Sequence, residues 1–397
     1  MNAWNRKLTL IDKVWLIYYA MIFIFSCAIN NAQMMSTICI FGICCLRQLR
    51  KRRGKVPKIK ASDNAFWYGL FYVFVVLSWL WTSGVGKTYS NMITTLIQIL
   101  VFLVCLDWSI QDLDTAIVHV RCYCYASLLF ALVLLLTSPP STYNSLEFGG
   151  ITGMHRNTSG YLMMMATYFD LFVMTKVSRR KKKTYLLMAV ISFITSLLSG
   201  SRKIIVGYAI MLIAWSIMQK NIKKSLKILL LVVGGAIVLI PIAYQISYIQ
   251  NAFGLRMAAV FDDSIADGSI EARNRARLLA LELFRAKPVL GNGWNAVVSM
   301  YGYYFGRSGG IYAHNNYLEV AADFGIVGLV LFYWKYVKNI IYSFKGYKRS
   351  TLLRFSCICL ATILVLDWGQ VTYLYLYEMI IYAILFKFIQ YIRKEEG

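Results

Sequence analysis

The sequence predicts an all-α, polytopic membrane protein of about twelve transmembrane helices with one long extracytoplasmic loop that contains a helix, and three observations carry this prediction. Hydrophobic residues make up 59% of the 397-residue chain and its mean hydropathy is +0.57, too apolar for a monomeric soluble globule. Only five prolines interrupt it. The 42 lysines and arginines, which give a net charge of +24, fall in short blocks between apolar runs and are not interleaved with stacking aromatics. That pattern is the positive-inside rule at work and points away from nucleic acid as a partner.

In chain order the expected spans lie at roughly 14–30, 33–46, 64–82, 91–106, 116–136, 160–175, 185–199, 204–219, 228–246, 316–334, 355–370 and 372–390. With these spans the basic blocks Arg47–Lys60, Lys176–Lys183, Lys220–Lys227 and Lys335–Arg354 all face the cytoplasm, and so do both termini. The first apolar run, Val14–Ile29, follows Arg6, Lys7 and Lys13 without a small-residue cleavage site, so it reads as the first span and not as a signal peptide. The whole chain, 1–397, is expected to be one integral membrane domain with the loop at 247–315 inside it.

The extracytoplasmic segments are where polar chemistry collects. At 137–159 the run Ser138-Pro-Pro-Ser-Thr142 cannot be regular helix. The long loop carries Arg256, Arg273, Arg275, Arg277, Arg285, Lys287 and Arg307, against the charge bias, although a loop this long can also escape the rule. Within it, Ser269–Phe284 reads as a helix with an apolar stripe at Ala276, Leu279, Ala280 and Leu283, ended by Pro288 and the turn Gly291-Asn-Gly293. Arg273 and Arg277, four apart, share one face of it.

Other chemistries leave no signature. All nine cysteines lie in or beside expected spans, and Cys122/Cys124 and Cys357/Cys359 are spaced to point to different sides of a helix. They read as packing residues. The three histidines are too scattered to form a ligand set, so no metal and no cofactor are expected. The turn Gly291-Asn-Gly293 lacks the third glycine and the strand of a dinucleotide site, and P-loop and nucleophile-elbow motifs are absent.

Three motifs, taken in order, resemble the O-antigen ligase and polymerase superfamily, whose polymerases are often called Wzy-type. Met154-His-Arg-Asn-Thr-Ser-Gly160 resembles the outer segment that opens a span there, and Ser199-Gly-Ser-Arg-Lys203 resembles its Ser-Arg turn. Arg273, Pro288 and Gly291-x-Gly293 then lead to Ala313-His-Asn-Asn-Tyr-Leu318 and Gly325-x-x-Gly328, the most specific piece. The resemblance covers about residues 150–335. Arg277 departs from it, since an aromatic residue is common there.

The resemblance implies a glycosyltransferase of the bacterial plasma (inner) membrane with an extracytoplasmic active site. Its substrate would be an undecaprenyl-diphosphate-linked oligosaccharide, and its products capsular, O-antigen or exopolysaccharide. Membrane lipids and other polysaccharide-assembly proteins, such as a flippase and a chain-length regulator, are the implied partners.

Physical chemistry assigns roles to these positions. A glycan joined to a lipid diphosphate has a good leaving group once fixed cations meet the developing charge, and a guanidinium can hold phosphate oxygens in a bidentate manner. Arg202 and Arg273 are the leading candidates, with Arg156, Asn157 and Arg277 as further substrate-binding residues. His314, at the mouth of the span at 316–334, suits a general base because the positive end of the helix dipole keeps its ring neutral. Asn315 and Tyr317 flank it as expected substrate contacts, and Glu319 and Asp323 could help orient it. His155 is the rival base. Two other classes stay open: the acids Asp170, Asp367 and Glu378 within expected spans suit a transporter of lipid-linked sugars, and an assembly scaffold would need none of these side chains individually.

Overall fold

The computed structural model describes residues 3–25, 30–51, 58–82, 89–139, 141, 148–218, 223, 268–306 and 310–396. The described residues fold into the helices α1 (Leu10–Phe25), α2 (Asn30–Lys51), α3 (Asn64–Leu77, continued by a 3-10 turn at Ser78–Trp81), α4 (Tyr89–Ser109), α5 (Leu113–Thr137), α6 (Arg156–Lys176), α7 (Arg179–Leu198) and α8 (Arg202–Ile217). After them come α9 (Gly268–Ala286), α10 (Ala296–Phe305), α11 (Asn316–Gly346), α12 (Thr351–Leu366) and α13 (Leu376–Glu396). Every expected span except the one at 228–246, which lies outside the described residues, is occupied by a helix. The part of the expected loop at 247–267 also lies outside them.

Among the described residues six helices are long and apolar enough to cross a membrane. The others fall short for local reasons: α1 and α8 have 16 residues each, and α7 opens on the charged run Arg179-Arg-Lys-Lys-Lys183. Helix starts are marked by polar caps. Asp112 and Thr115 form a reciprocal capping box on α5, Asn315 accepts from the Leu318 N–H at the start of α11, and Ser350 accepts from Leu353 at the start of α12.

Contacts between helix ends show the helices alternating in direction. At one end, hereafter the site end, Trp294 N–H donates to Ser78 Oγ after α3, and Thr372 N–H, just before α13, donates to Asn316 at the start of α11. At the opposite, basic end, Lys176 closing α6 donates to Thr351 opening α12. There too the buried Lys387 of α13 pairs with Asp107 at 2.9 Å and Asp63 at 3.1 Å. Sequence reading did not single out this buried ion pair.

The helix expected at Ser269–Phe284 is α9. Its stripe Ala276, Leu279, Ala280 and Leu283 packs with Val297, Tyr301, Ala313 and Ala322 in a small core at the site end, separate from the main core. Helix α10 was not expected, and its cause is long-range. Its N-cap residue Asn295 makes no side-chain cap, and the Asp323 carboxylate accepts instead from the N–H groups of Asn295 and Val297 at 3.1 and 3.2 Å.

Asp323 lies beside a break in α11, where Gly325 has φ 65° and ψ −164°, a conformation open essentially to glycine alone. The turn after α9 fills the break. The N–H groups of Asn292 and Gly293 donate to the carbonyls of Ala322 and Asp323 at 2.9 and 2.7 Å, and those of Ile326 and Val327 donate to Pro288 and Val289 at 2.8 and 3.2 Å. A Cβ on Gly325 would stand 2.2 Å from the Val289 carbonyl oxygen, and one on Gly291 2.4 Å from the Asp323 backbone. Gly325→Ala is therefore expected to cost about 1–3 kcal/mol, seen as a lower unfolding midpoint in detergent, whereas Gly42→Ala, with nothing within 4 Å of its Cβ, leaves the midpoint unchanged or slightly raised.

Candidate functional site

The three sequence motifs meet at the site end. A Cβ on Gly160 of α6 would stand 2.3 Å from Ser199 Oγ and Ile204 Cδ1, so the segment opening α6 lies directly on the turn that opens α8. Above this contact His155, Arg156 and Lys203 share one electrostatic neighbourhood with Arg273, Arg277 and His314. Cations from α8 and α9 thus face the histidine that precedes α11, while Arg156 of α6 acts on His155 beside them.

The His314 segment is pinned on both sides. The Ala313 N–H donates to the buried Glu319 carboxylate, and Ala313 itself is buried in the α9–α10 core. On the far side Asn315 caps α11, Asn316 Nδ2 donates to Tyr333 OH at 2.6 Å, and Tyr317 OH donates to the Leu364 carbonyl at 2.6 Å. Tyr333 OH in turn donates to Asp367 Oδ2 at 2.9 Å, and Thr372 Oγ1 donates to Asp367 Oδ1 at 3.2 Å. Between these anchors His314 is held at φ 50°, an uncommon backbone state for a residue other than glycine. Its ring is half-buried and packs at a 39° tilt against Tyr312 with centroids 4.0 Å apart, and among the described residues neither ring nitrogen is occupied by a hydrogen bond.

Burial, then Arg273, Lys203, Arg277 and His155, push the His314 pKa down to about 3. Each disfavours the imidazolium, by desolvation or by like charge. The rival His155 is shifted the same way by desolvation, Arg156, Lys203 and Arg273, but it does another job. It is the N-cap of α6, and its Nδ1 accepts from the Asn157 N–H at 3.2 Å. With Nδ1 so engaged, the proton of the neutral ring sits on Nε2, and no basic nitrogen is left over.

The arginines sort by partner. Arg275 forms an ion pair with Glu271 and lies 5.7 Å from the Phe305 ring centroid, while Arg273 and Arg277 act on His314 from the other face of α9. Arg202 is half-buried at the start of α8 and is not among the strongest charges acting on His314; its neighbour Lys203 is. Sequence reading passed over Lys203 although it closed the quoted Ser-Gly-Ser-Arg-Lys motif. Asn315 and Tyr317, expected to touch substrate, have one polar atom each committed to the fold. Glu319 and Asp323, expected to orient the histidine, hold backbone N–H groups around it.

Several buried polar atoms at this end lack partners among the described residues: Asn315 Nδ2, Ser159 Oγ and Ser201 Oγ. Native interiors pair such groups, so their clustering around a cationic pocket suits a polar, anionic ligand. Asp367 and Glu378, which kept a transporter open, also belong to this end: both act on Lys203. The third such acid, Asp170 of α6, is buried and accepts from Ser192 Oγ at 3.5 Å.

The depressed His314 pKa has a stability consequence. Between about pH 6.5 and 3 the unfolded chain binds a proton at this residue that the folded chain does not, so its contribution favours unfolding as the pH falls through that window. The unfolding midpoint of the wild type is expected to drop more steeply from pH 6.5 to 4 than that of His314→Gln; parallel curves would contradict a depressed pKa.

Residues 187–333 match the family model Wzy_C, described as O-antigen ligase. The matched stretch contains Lys203, Arg273, Arg277 and His314, together with the Gly325 break and the turn stitched into it. No curated protein and no solved structure matches the chain. Over this stretch, which is less than half of the chain, the membrane protein is similar to the O-antigen ligase/polymerase superfamily, whose members are glycosyl-transferring enzymes.

Proposed function

We propose that this chain is an inverting glycosyltransferase of the bacterial plasma membrane that polymerises undecaprenyl-diphosphate-linked repeat units at the outer face. The observation that carries the reading is His314, pushed toward its neutral form at the mouth of α11, without a hydrogen bond on its ring among the described residues, and faced by Arg273, Arg277 and Lys203. A neutral imidazole beside several fixed cations suits a reaction in which one partner loses a proton and the other leaves as a phosphate anion.

In this reading the donor diphosphate lies against Arg273, Arg277 and Lys203, with Arg156, Asn157 and Arg202 at the margin. A His314 nitrogen takes the proton of the acceptor hydroxyl as its oxygen bonds to the anomeric carbon. The bond from that carbon to the phosphate oxygen breaks, and its electron pair leaves on the lipid diphosphate. Attack opposite the leaving group inverts the anomeric centre. The cations serve two ends: before the donor arrives they add to burial in keeping His314 unprotonated, and once its charge offsets theirs the ring regains part of its basicity. No step calls on a nucleotide or a metal.

The family description favours a second reading, a ligase that moves the lipid-linked glycan to a different acceptor. The two differ only in what supplies the hydroxyl. Reconstituted protein given lipid-linked oligosaccharide without nucleotide or added divalent metal is expected to produce longer lipid-linked glycans. His314→Ala is expected to lower the rate roughly 10²–10⁴-fold and Arg273→Ala about 10²–10³-fold. His155→Ala and Arg275→Ala should cost far less. Elongation that survives His314→Ala would sink the base assignment. Transfer only to an added non-repeat acceptor would make the chain a ligase, and lipid movement without transfer would restore the transporter.

A further inference from the structure

Towards the basic end α6 and α8 part and leave a cavity of about 500 Å³ against α12, walled by Tyr168, Phe172, Met211, Trp215, Phe355 and Ile358. Phe172 and Phe355 stack at 4.0 Å, and Tyr168 and Phe355 at 5.1 Å, which gives one side of the cavity a flat aromatic wall.

Towards the site end the two helices close. A Cβ on Gly207 would stand 2.2 Å from Met164 Sδ, and one on Gly160 2.3 Å from Ile204 Cδ1, so no hydrocarbon chain fits between them there. Below these contacts Tyr208 OH donates to Thr167 Oγ1 at 3.0 Å across the top of the cavity. At the other end the cavity carries charge. Arg354 lines it, and Lys176 ends α6 beside it, donating to Thr351 and lying 5.6 Å from the Phe172 centroid. The two cations act on each other, and among the described residues neither pairs with a carboxylate. Among the described residues Arg354 donates to the Tyr347 carbonyl, at 3.3 Å.

We propose that this cavity binds one anionic phospholipid of the leaflet at the basic end, with an acyl chain between α6, α8 and α12 and its phosphate between Lys176 and Arg354. Apolar walls with two facing cations at one mouth match an amphiphile with a negative head, and basic pockets between membrane helices recognise such heads. A zwitterionic lipid offers the same chains but a head that leaves the cations uncompensated. The closed α6–α8 contact separates this chain from any donor lipid at the other end, so the proposal stands independently of the transferase reading.

The test is binding of phosphatidylglycerol and phosphatidylcholine with identical chains to delipidated full-length protein in detergent, counted by native mass spectrometry. One phosphatidylglycerol is expected to bind about tenfold or more tightly than phosphatidylcholine. Lys176→Gln with Arg354→Gln should bring the two lipids to equal affinity, and Lys176→Gln alone should go part of the way with less risk to folding. Leu212→Trp, which fills the cavity from its half-open side, should weaken both lipids. Equal affinities in the wild type, or a preference that survives loss of both cations, would overturn the proposal. So would full displacement by glycerol phosphate, which would reduce the site to one for a free phosphate.

Discussion

A helix in lipid cannot leave its backbone groups unpaired, and α11 leaves several unpaired at Gly325. The turn Pro288–Gly293 supplies their partners, two donors to Ala322 and Asp323 and two acceptors from Ile326 and Val327. This stitch fixes where α9 must lie, and hence where Arg273 and Arg277 point. It also exposes Asp323 to α10, whose first N–H groups the carboxylate caps. The site rests on a structural defect that only a second segment can repair.

The same arrangement sets the electrostatics. Arg273 and Arg277 of α9 and Lys203 of α8 converge on a histidine whose backbone is clamped between Glu319 and the Asn316–Tyr333–Asp367 network. Gathering like charges is unfavourable unless an anion joins them, so a cluster of this kind suits a bound anion, as the proposed donor diphosphate would be. Fixing donors in advance is how a site stabilises a leaving anion without reorganising at the moment of reaction. Asn315 Nδ2, Ser159 Oγ and Ser201 Oγ, left unpaired nearby, fit the same logic.

Local signals were legible in the sequence and distant ones were not. The helix expected at Ser269–Phe284 and found at Gly268–Ala286 was visible because its propensity, apolar stripe and Pro-Gly terminus all lie within one segment. Helices at the expected span positions were legible for the same reason, and among the described residues six of them are long and apolar enough to cross a membrane. The break at Gly325 was hidden because a lone glycine in an apolar run also fits an unbroken helix; what makes it a break is a turn some thirty residues earlier. Helix α10 was missed because its cap comes from Asp323 and not from its own flank. Lys203 was passed over in favour of Arg202, since adjacent positions at a helix start point apart and the sequence alone does not say which faces inward. For Asn315, an asparagine just before an apolar helix, the N-cap role was a readable signal that the motif's functional reading obscured.

In the proposed mechanism burial and the cations around His314 hold it neutral in the free protein, and a diphosphate that offsets the cations loosens part of that hold. The most direct measurement is a titration of the His314 ring by nitrogen NMR on selectively labelled protein, with and without undecaprenyl diphosphate. The account predicts a pKa of about 3 in the free protein and a rise on binding, with Arg277→Gln raising the free value because one repelling charge is gone. An ordinary pKa near 6.5 in the free protein, unmoved by the ligand, would contradict it.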